Sequence, residues 1–218
     1  MKLHHIAIAL ILAFGGSVVP TASAIEVSPL GMTHAPSQRV GNVTLRNSSA
    51  TPKTYQLTAE RWTVENGVQV RTPSQDIRFA PAVVTIPAGG AQTVRYALRT
   101  EPMGEELAYR INVREIVGPE TKPNQFGLIM AMHMDFPYFW RSPDAAPQLS
   151  ARWDGDDLLV LNRGSATAQL AELTAGAVKK QGLVGYVLPG EERRIRVAGG
   201  QGNVTVRVNG KDQSLAVQ

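Results

Sequence analysis

Residues 126–140 read FGLIMAMHMDFPYFW, and their pattern is the clearest structural signal in the chain. From Phe126 to Phe136 every second residue is large and apolar, and most of the residues between them are small or polar. Successive side chains of a β-strand point to opposite faces, so a period of two indicates a strand. We therefore predict one long strand over residues 126–140, whose apolar face extends for about 35 Å at about 3.4 Å per residue.

Shorter runs of the same alternation occur upstream of this stretch, and turn residues separate them. Asn66-Gly67 lies between two valines and is typical of a tight hairpin turn. Residues 166–177 are the best candidate for a helix, but they lack convincing periodicity and caps. The alternating runs cover residues 42–45, 55–62, 83–86, 93–98 and 109–116. Together these features predict an all-β fold of the sandwich type.

A linker divides the chain into two parts. Residues 141–147 contain two prolines among small neighbours, which is typical of a stiff connection. Beyond it, hairpin signals resume at Asp154-Gly155 and continue to Asn209-Gly210. We predict domains at residues 25–143 and 144–218, with the boundary near 143–147. The second domain is small, so we expect it to pack against the first.

The first 24 residues have the pattern of a secretory signal peptide. Lys2 precedes an apolar run over residues 6–14, and the small residues Ala22-Ser23-Ala24 follow it. The run is much shorter than the roughly 20 residues that span a bilayer. We therefore expect export to the periplasm, with no integral membrane segment after the signal is cleaved.

Composition excludes several classes of protein. The chain has no cysteine, which rules out disulfides, thiolate metal sites and a cysteine nucleophile. Its net charge is only +4 and its 22 Lys and Arg are dispersed, so we do not expect a nucleic-acid partner. Outside the signal only His34 and His133 could serve as a histidine base, and neither lies in a catalytic motif. We predict a protein that is not an enzyme and that has no cofactor.

The methionines around His133 raise one alternative function. Thioether and imidazole ligands suit copper, so an exported copper-binding β-sandwich could use Met130, Met132 and Met134. On a strand, however, His133 would face away from the methionines, which would lie about 7 Å apart. We therefore favour copper binding less than an apolar contact surface.

Several motifs together resemble the periplasmic pilus chaperones of the chaperone/usher pathway, the PapD-like family. The main ones are RINVREI (110–116), a proline-containing loop, and a long strand that ends in YFWRSP (138–143). VSP (27–29) and GYVLPG (185–190) also fit the pattern. The short second domain is more similar to the archaic branch, which assembles Csu or spore-coat-type pili.

The resemblance implies two immunoglobulin-like β-sandwich domains in an L shape and an ATP-independent chaperone. It would lend a strand of its first domain to pilus subunits that lack one, and would deliver them to an outer-membrane usher. The expected donor residues are Phe126, Leu128, Met130, Met132 and Met134. The alternative is that this apolar face packs entirely into the core of its own domain, which we expect only for the residues nearer Tyr138.

The resemblance also implies a site for the subunit's terminal carboxylate, but the usual basic pair is missing. Pro137 and Thr33 occupy the matching positions. Arg110 and Arg114 share one face of the predicted strand before the donor strand, and are the replacement candidates. We prefer Arg114, because it lies inside the matching motif; the alternative is that both arginines are solvated or paired with Glu115 or another acid.

Two further residues match an interdomain ion-pair network of the family. Glu106 and Arg141 fall on its positions, whereas the usual acidic member in the second domain has no clear counterpart. We expect this pair to be structural, holding the two domains in a fixed orientation.

The remaining alternative is that the chain is itself a structural pilus subunit, because those are also exported immunoglobulin-like proteins. Residues 25–40 argue against it, since Pro29, Gly31 and Pro36 would interrupt any long donor strand after the signal.

Overall fold

The computed structural model describes residues 25–102, 104–119, 121, 123, 126–215 and 217; the proposed signal peptide at 1–24 lies outside them. No helix among the described residues is long and apolar enough to cross a membrane. All described elements are strands, which confirms the predicted all-β class. They are β1 (Ile25–Ser28), β2 (Met32–His34), β3 (Val40–Asn47), β4 (Lys53–Glu65), β5 (Val68–Ser74), β6 (Ile77–Ala80), β7 (Val83–Ile86), β8 (Ala91–Leu98), β9 (Leu107–Ile116), β10 (His133–Trp140), β11 (Leu149–Asp154), β12 (Asp157–Asn162), β13 (Ala168–Ala175), β14 (Val178–Val187), β15 (Glu192–Arg196), β16 (Val204–Val208) and β17 (Lys211–Leu215).

The first ten strands form one sandwich. One sheet has the order β1-β3-β8-β6, and the other has the order β2-β10-β9-β4-β5 with β7 paired to β4. Alternate side chains of each strand fill the space between the sheets, as for Tyr109, Ile111 and Val113 of β9. Burial of such large side chains contributes about 1.5–3 kcal/mol each, which holds the two layers together.

The last seven strands form a second, smaller sandwich. A sheet of order β11-β12-β15 packs on a sheet of order β14-β13-β16-β17 around Leu158, Leu170 and Val206. Strand β13 occupies residues 168–175, so the helix candidate at 166–177 is an irregular strand instead. Residues 141–148 carry no strand, and the proposed domain boundary falls within this interval.

The two sandwiches share the same arrangement of asparagine hydrogen bonds at the end of one strand, which supports a common immunoglobulin-like fold. Asn47 ends β3 and Asn162 ends β12, and both side chains are completely buried. Each Nδ2 donates to the carbonyl four residues later at 2.8 Å and to the last carbonyl of another strand at 2.9 or 3.0 Å. Each Oδ1 accepts from the amide two residues later at 3.0 Å. One side chain thus satisfies the backbone groups that a sharp corner leaves without ladder partners.

The long strand predicted over residues 126–140 is shorter in the structure, because β10 begins only at His133. The Glu115 amide donates to the Met132 carbonyl at 2.8 Å, which continues the β9–β10 ladder one step beyond the strand. The Met132 amide instead donates to Glu115 Oε2 at 3.1 Å. The carboxylate of Glu115 therefore takes the amide that would otherwise donate to the Glu115 carbonyl in the reciprocal ladder bond. The prediction of regular strand over 126–132 is wrong.

Candidate functional site

Residues 126–132 form an exposed apolar segment, defined here as the apolar segment. Phe126 and Met130 are each 75% exposed, Leu128 is 59% exposed, and Met132 is 37% exposed. Five of the eleven exposed large apolar side chains among the described residues fall within these seven positions. Exposed apolar surface at this density is typical of sites that interact with another molecule.

The fifth predicted donor residue, Met134, lies differently from the other four. It is half-buried against the core of the first sandwich, and Phe136 beyond it is only 3% exposed. The apolar face of the sequence pattern is therefore divided. Its N-terminal part faces solvent, and its C-terminal part anchors β10 in its own domain.

Strand β10 also has a partly open edge. Along its whole length it pairs with β9, whereas β2 pairs with it only at Tyr138–Trp140. Within the described part of the chain, residues 133–137 have no strand partner on the β2 side. Such an edge can accept another strand, although Pro137 has no N–H to donate and the Asp135 carbonyl already accepts from Arg110 Nη2 at 3.2 Å. The open edge and the apolar segment are continuous along the chain.

A charged cluster lies on the outer face of the same sheet. The Asp135 carboxylate on β10 accepts hydrogen bonds from Arg110 Nη2 and Arg71 Nη1, each at 2.7 Å. Burial raises the pKa of Asp135, but the hydrogen bond and charge of Arg110, followed by those of Arg71, lower it below its ordinary value. Asp135 is therefore a stable anion that holds both guanidinium groups.

The two predicted carboxylate anchors are in different environments. Arg110 is 8% exposed, and its guanidinium lies 5.0 Å from the ring centre of Trp62 in addition to binding Asp135. Arg114 lies four residues further along β9, opposite His133, and is exposed. It forms no ion pair with any described residue, and Glu115 is paired with Lys53 at 2.6 Å instead. Of the two arginines, only Arg114 is available to a new anion without breaking an existing pair.

A cavity of about 210 Å³ lies between the two sandwiches, and Thr33 and Pro137 both line it. Among the described residues that line it, Arg141 is the only Lys or Arg. Because Arg141 Nη1 lies 3.0 Å from Glu106 Oε2, this cation already has a carboxylate partner. The positions of the family's usual basic pair therefore do not supply a free cation in this chain.

The structure brings Glu106 and Arg141 together at the junction, as their family positions imply. The Glu106 side chain is only 1% exposed, and Oε1 also accepts from the Thr167 amide at 3.0 Å and from the Thr167 hydroxyl. Arg141 Nη1 in turn donates to the Thr167 carbonyl at 3.2 Å. The member of the network in the second sandwich is thus a threonine rather than an acid. We call these three residues the Glu106 latch.

A second latch was not predicted from the sequence. Gln69 Nε2 on β5 donates to Glu191 Oε2 at 2.8 Å and to the Tyr186 carbonyl at 2.9 Å in the second sandwich. Glu191 is 3% exposed, so its carboxylate depends on these protein donors. An apolar cluster joins the two sandwiches, and its buried members are Trp62, Ala108, Phe139 and Leu188. No local pattern marks Gln69, because its partners lie more than a hundred residues away.

The copper-binding alternative uses His133 as its imidazole ligand. Its Nε2 lies 2.9 Å from Asn112 Oδ1, within hydrogen-bonding distance. Met130 and Met132 lie outside the regular strand, so the strand spacing that separates them in the sequence argument does not apply to them. Copper binding stays an untested alternative.

Solved structures share this architecture at low sequence identity. A chain of the CsuC–CsuE chaperone–tip adhesion subunit complex from archaic Csu pili of Acinetobacter baumannii has a TM-score of 0.72 and 17% identity over 90% of this chain and 100% of its own. A chain of the Salmonella enterica SafA pilin–SafB chaperone complex has a TM-score of 0.71 and 16% identity over 90% and 97%. The E. coli chaperone DraB has a TM-score of 0.67 and 13% identity over 90% and 97%. These likenesses confirm the fold of two immunoglobulin-like sandwiches.

Comparison with the curated proteins gave no match to this sequence. The family comparison is decisive instead, because residues 24–146, more than half of the chain, match the pili and flagellar-assembly chaperones through their PapD N-terminal domain. This is a family of chaperones rather than of enzymes, and it acts in the assembly of pilus subunits. The chain belongs to the PapD-type pilus-assembly chaperones.

Proposed function

We propose that this protein is a periplasmic, ATP-independent chaperone that stabilises incomplete immunoglobulin-like pilus subunits by donor-strand complementation and delivers them to an outer-membrane usher. The observation that carries the proposal is the apolar segment continuous with the open edge of β10. The edge offers backbone groups to a subunit strand, and the segment offers side chains to a hydrophobic groove. Phe126, Leu128, Met130 and Met132 would fill that groove.

The energetics explain why such binding would be reversible. Burying four large apolar side chains contributes about 6–12 kcal/mol, taking roughly 1.5–3 kcal/mol for each. Ordering seven backbone residues costs about 7–14 kcal/mol, taking roughly 1–2 kcal/mol for each. These terms nearly cancel. The net affinity would come from backbone hydrogen bonds and from residues 133–137, which are ordered before binding. Because the apolar segment itself adds little net free energy, a strand that fits the groove better could replace it.

Arg114 is our proposed anchor for the subunit's terminal carboxylate, with Arg110 second. Arg114 is exposed on β9 beside the first residue of β10, close in the ladder to Met132, where the apolar segment ends. Binding a carboxylate there would satisfy a free cation, whereas binding at Arg110 would first require separation from Asp135. A charge-assisted hydrogen bond of this kind contributes about 1.5–3 kcal/mol.

The branch within the family and the route of delivery are further parts of the proposal. The short second sandwich and the fold shared with a chain of an archaic Csu complex support assignment to the archaic branch. Delivery to an usher and residence in the periplasm are supported by family membership and by the signal-like pattern of residues 1–24.

Co-purification tests the proposal directly. The tagged full-length protein is expressed with the exported proteins encoded by neighbouring genes, and captured partners are identified by mass spectrometry. We expect recovery of an immunoglobulin-like pilus subunit, and at least about a hundredfold loss of binding for Met130→Asp or Met132→Asp, because a carboxylate in an apolar groove costs several kcal/mol.

Leu183→Asp is the matched control, because Leu183 is a 59% exposed apolar residue in the second sandwich. We expect it to bind the subunit as the wild type does. Equal recovery with all three variants would rule out the apolar segment as the donor.

A further inference from the structure

We propose that Met130 and Met132 are oxidation-sensitive sites, and that their conversion to methionine sulfoxide switches off subunit binding reversibly. This inference rests on the proposed function, because it assigns a regulatory chemistry to the same apolar segment. Its basis is that the described methionines are distributed unequally between the protein surface and the core.

Accessibility separates the described methionines into two groups. Met130 is 75% exposed and Met132 is 37% exposed, whereas Met32 and Met134 are half-buried against the core of the first sandwich. Reaction of a thioether requires that the oxidant reach the sulfur, so exposure controls the order of oxidation. Met130 should react first and Met132 second, while Met32 and Met134 are protected by packing.

The reaction needs only an oxygen-transferring oxidant such as hydrogen peroxide or hypochlorous acid. The sulfur lone pair attacks the oxidant and a new S–O bond forms as the O–O or O–Cl bond breaks. The sulfur is oxidised by two electrons, and the oxidant is reduced to water or to chloride and a proton. The chain has no cysteine that would compete as a more reactive sulfur.

The consequence follows from the polarity of the product. A sulfoxide is polar and a strong hydrogen-bond acceptor, whereas the thioether it replaces is a flexible apolar group suited to varied grooves. Burying an acceptor without a donor carries a penalty equivalent to about a tenfold loss of affinity or more for each side chain. Methionine sulfoxide reductases restore the thioether, so the loss would be reversible.

Peptide mapping tests the site separately from its effect. The purified chaperone is treated with increasing hydrogen peroxide, digested and analysed by mass spectrometry. We expect Met130 to acquire the 16 Da of one oxygen at the lowest dose, followed by Met132, and then by Met32 and Met134, which pack against the core. Earlier or equal oxidation of Met32 or Met134 would overturn the site assignment.

Binding of the subunit identified by co-purification tests the switch. Each protein is compared with itself before and after peroxide, so differences in starting affinity cancel. We expect at least about a tenfold loss for the wild type and for Met32→Leu, and no further loss for Met130→Leu/Met132→Leu, whose segment has no thioether. Treatment with sulfoxide reductase should restore binding by the oxidised wild type.

The two proposals fail in distinguishable ways. Unchanged binding after both methionines are fully oxidised, together with abolished binding by Met130→Asp, would overturn the oxidation switch and leave the donor assignment intact. Unchanged binding by Met130→Asp would overturn the donor assignment itself, and the switch with it.

Discussion

Breaking the Glu106 latch should destabilise the protein far more than breaking an exposed ion pair. Glu106→Ala removes a carboxylate that is 1% exposed and accepts from both Arg141 and Thr167. It leaves Arg141, which is 18% exposed, without its counter-ion and leaves the Thr167 amide without an acceptor. Removing one partner of a buried pair costs about 3–5 kcal/mol. We expect about 3 kcal/mol, because Arg141 keeps some exposure and its bond to the Thr167 carbonyl.

Calorimetry and urea unfolding measure this effect. For a chain of this length, about 3 kcal/mol corresponds to a fall in Tm of roughly 6–12 °C. Asp212→Ala is the control, because Asp212 pairs with Arg207 at 2.8 Å where both side chains are largely exposed, and such pairs contribute about 0–1 kcal/mol. Thr167→Val with Glu106→Ala completes a double-mutant cycle, in which we expect losses that are not additive. Equal stability of Glu106→Ala and Asp212→Ala would refute the reasoning.

Two further predictions concern charge. Burial lowers the pKa of His34 below its ordinary value of 6.5, although a hydrogen bond with Gln38 opposes this, so the folded protein holds a neutral imidazole that an unfolded chain would protonate. The contribution of His34 to stability should therefore be constant above about pH 6.5 and fall by up to about 1.4 kcal/mol per pH unit below it. Urea titrations should find this slope reduced in His34→Gln and retained in His133→Asn. Arg114→Ala should weaken subunit binding by about 1.5–3 kcal/mol without lowering the Tm. In this variant, extending the subunit's C-terminus should cause little further loss of affinity, because both changes remove the same contact. Additive losses in a binding titration would assign the carboxylate to another residue.

The parts of the fold that the sequence predicts well are those in which a strand has one buried and one exposed face. The run at 109–116 corresponds to β9, and the run at 93–98 corresponds to most of β8. There the alternation reflects a real difference in environment between core and solvent. At 126–132 the same alternation is present, but no strand of the described chain pairs with the segment over its length. An alternating pattern indicates that one set of side chains is buried in some state of the protein. That state can be a complex with a partner, and it need not be the unbound protein.

The residues that sequence analysis missed share a different property. Arg71 and Asp135 meet across a sheet although they are 64 positions apart, and Gln69 and Glu191 meet across the junction. Neither contact leaves a local period, spacing or composition that could indicate it. Glu106 and Arg141 were found only because a family resemblance supplied their positions, and even then their partner Thr167 was not expected. Contacts between distant polar residues depend on the packed fold, which the local pattern does not contain.

The position at which β10 begins connects the structure to the proposed function. If residues 126–132 extended β10 as a rigid strand, less ordering would be needed on binding and the affinity for a subunit would be higher. Such a strand would also present a long, flat, apolar edge, which is the structure that recruits other copies of a chain into aggregates. Glu115, held by Lys53 at 2.6 Å, ends the ladder at Met132 by taking its amide. Under the proposed function, the cost of ordering the segment would be offset only when a subunit's groove is present. The affinity would then be lower than that of a preformed strand, and the free protein would present no long, flat edge through which copies could pair.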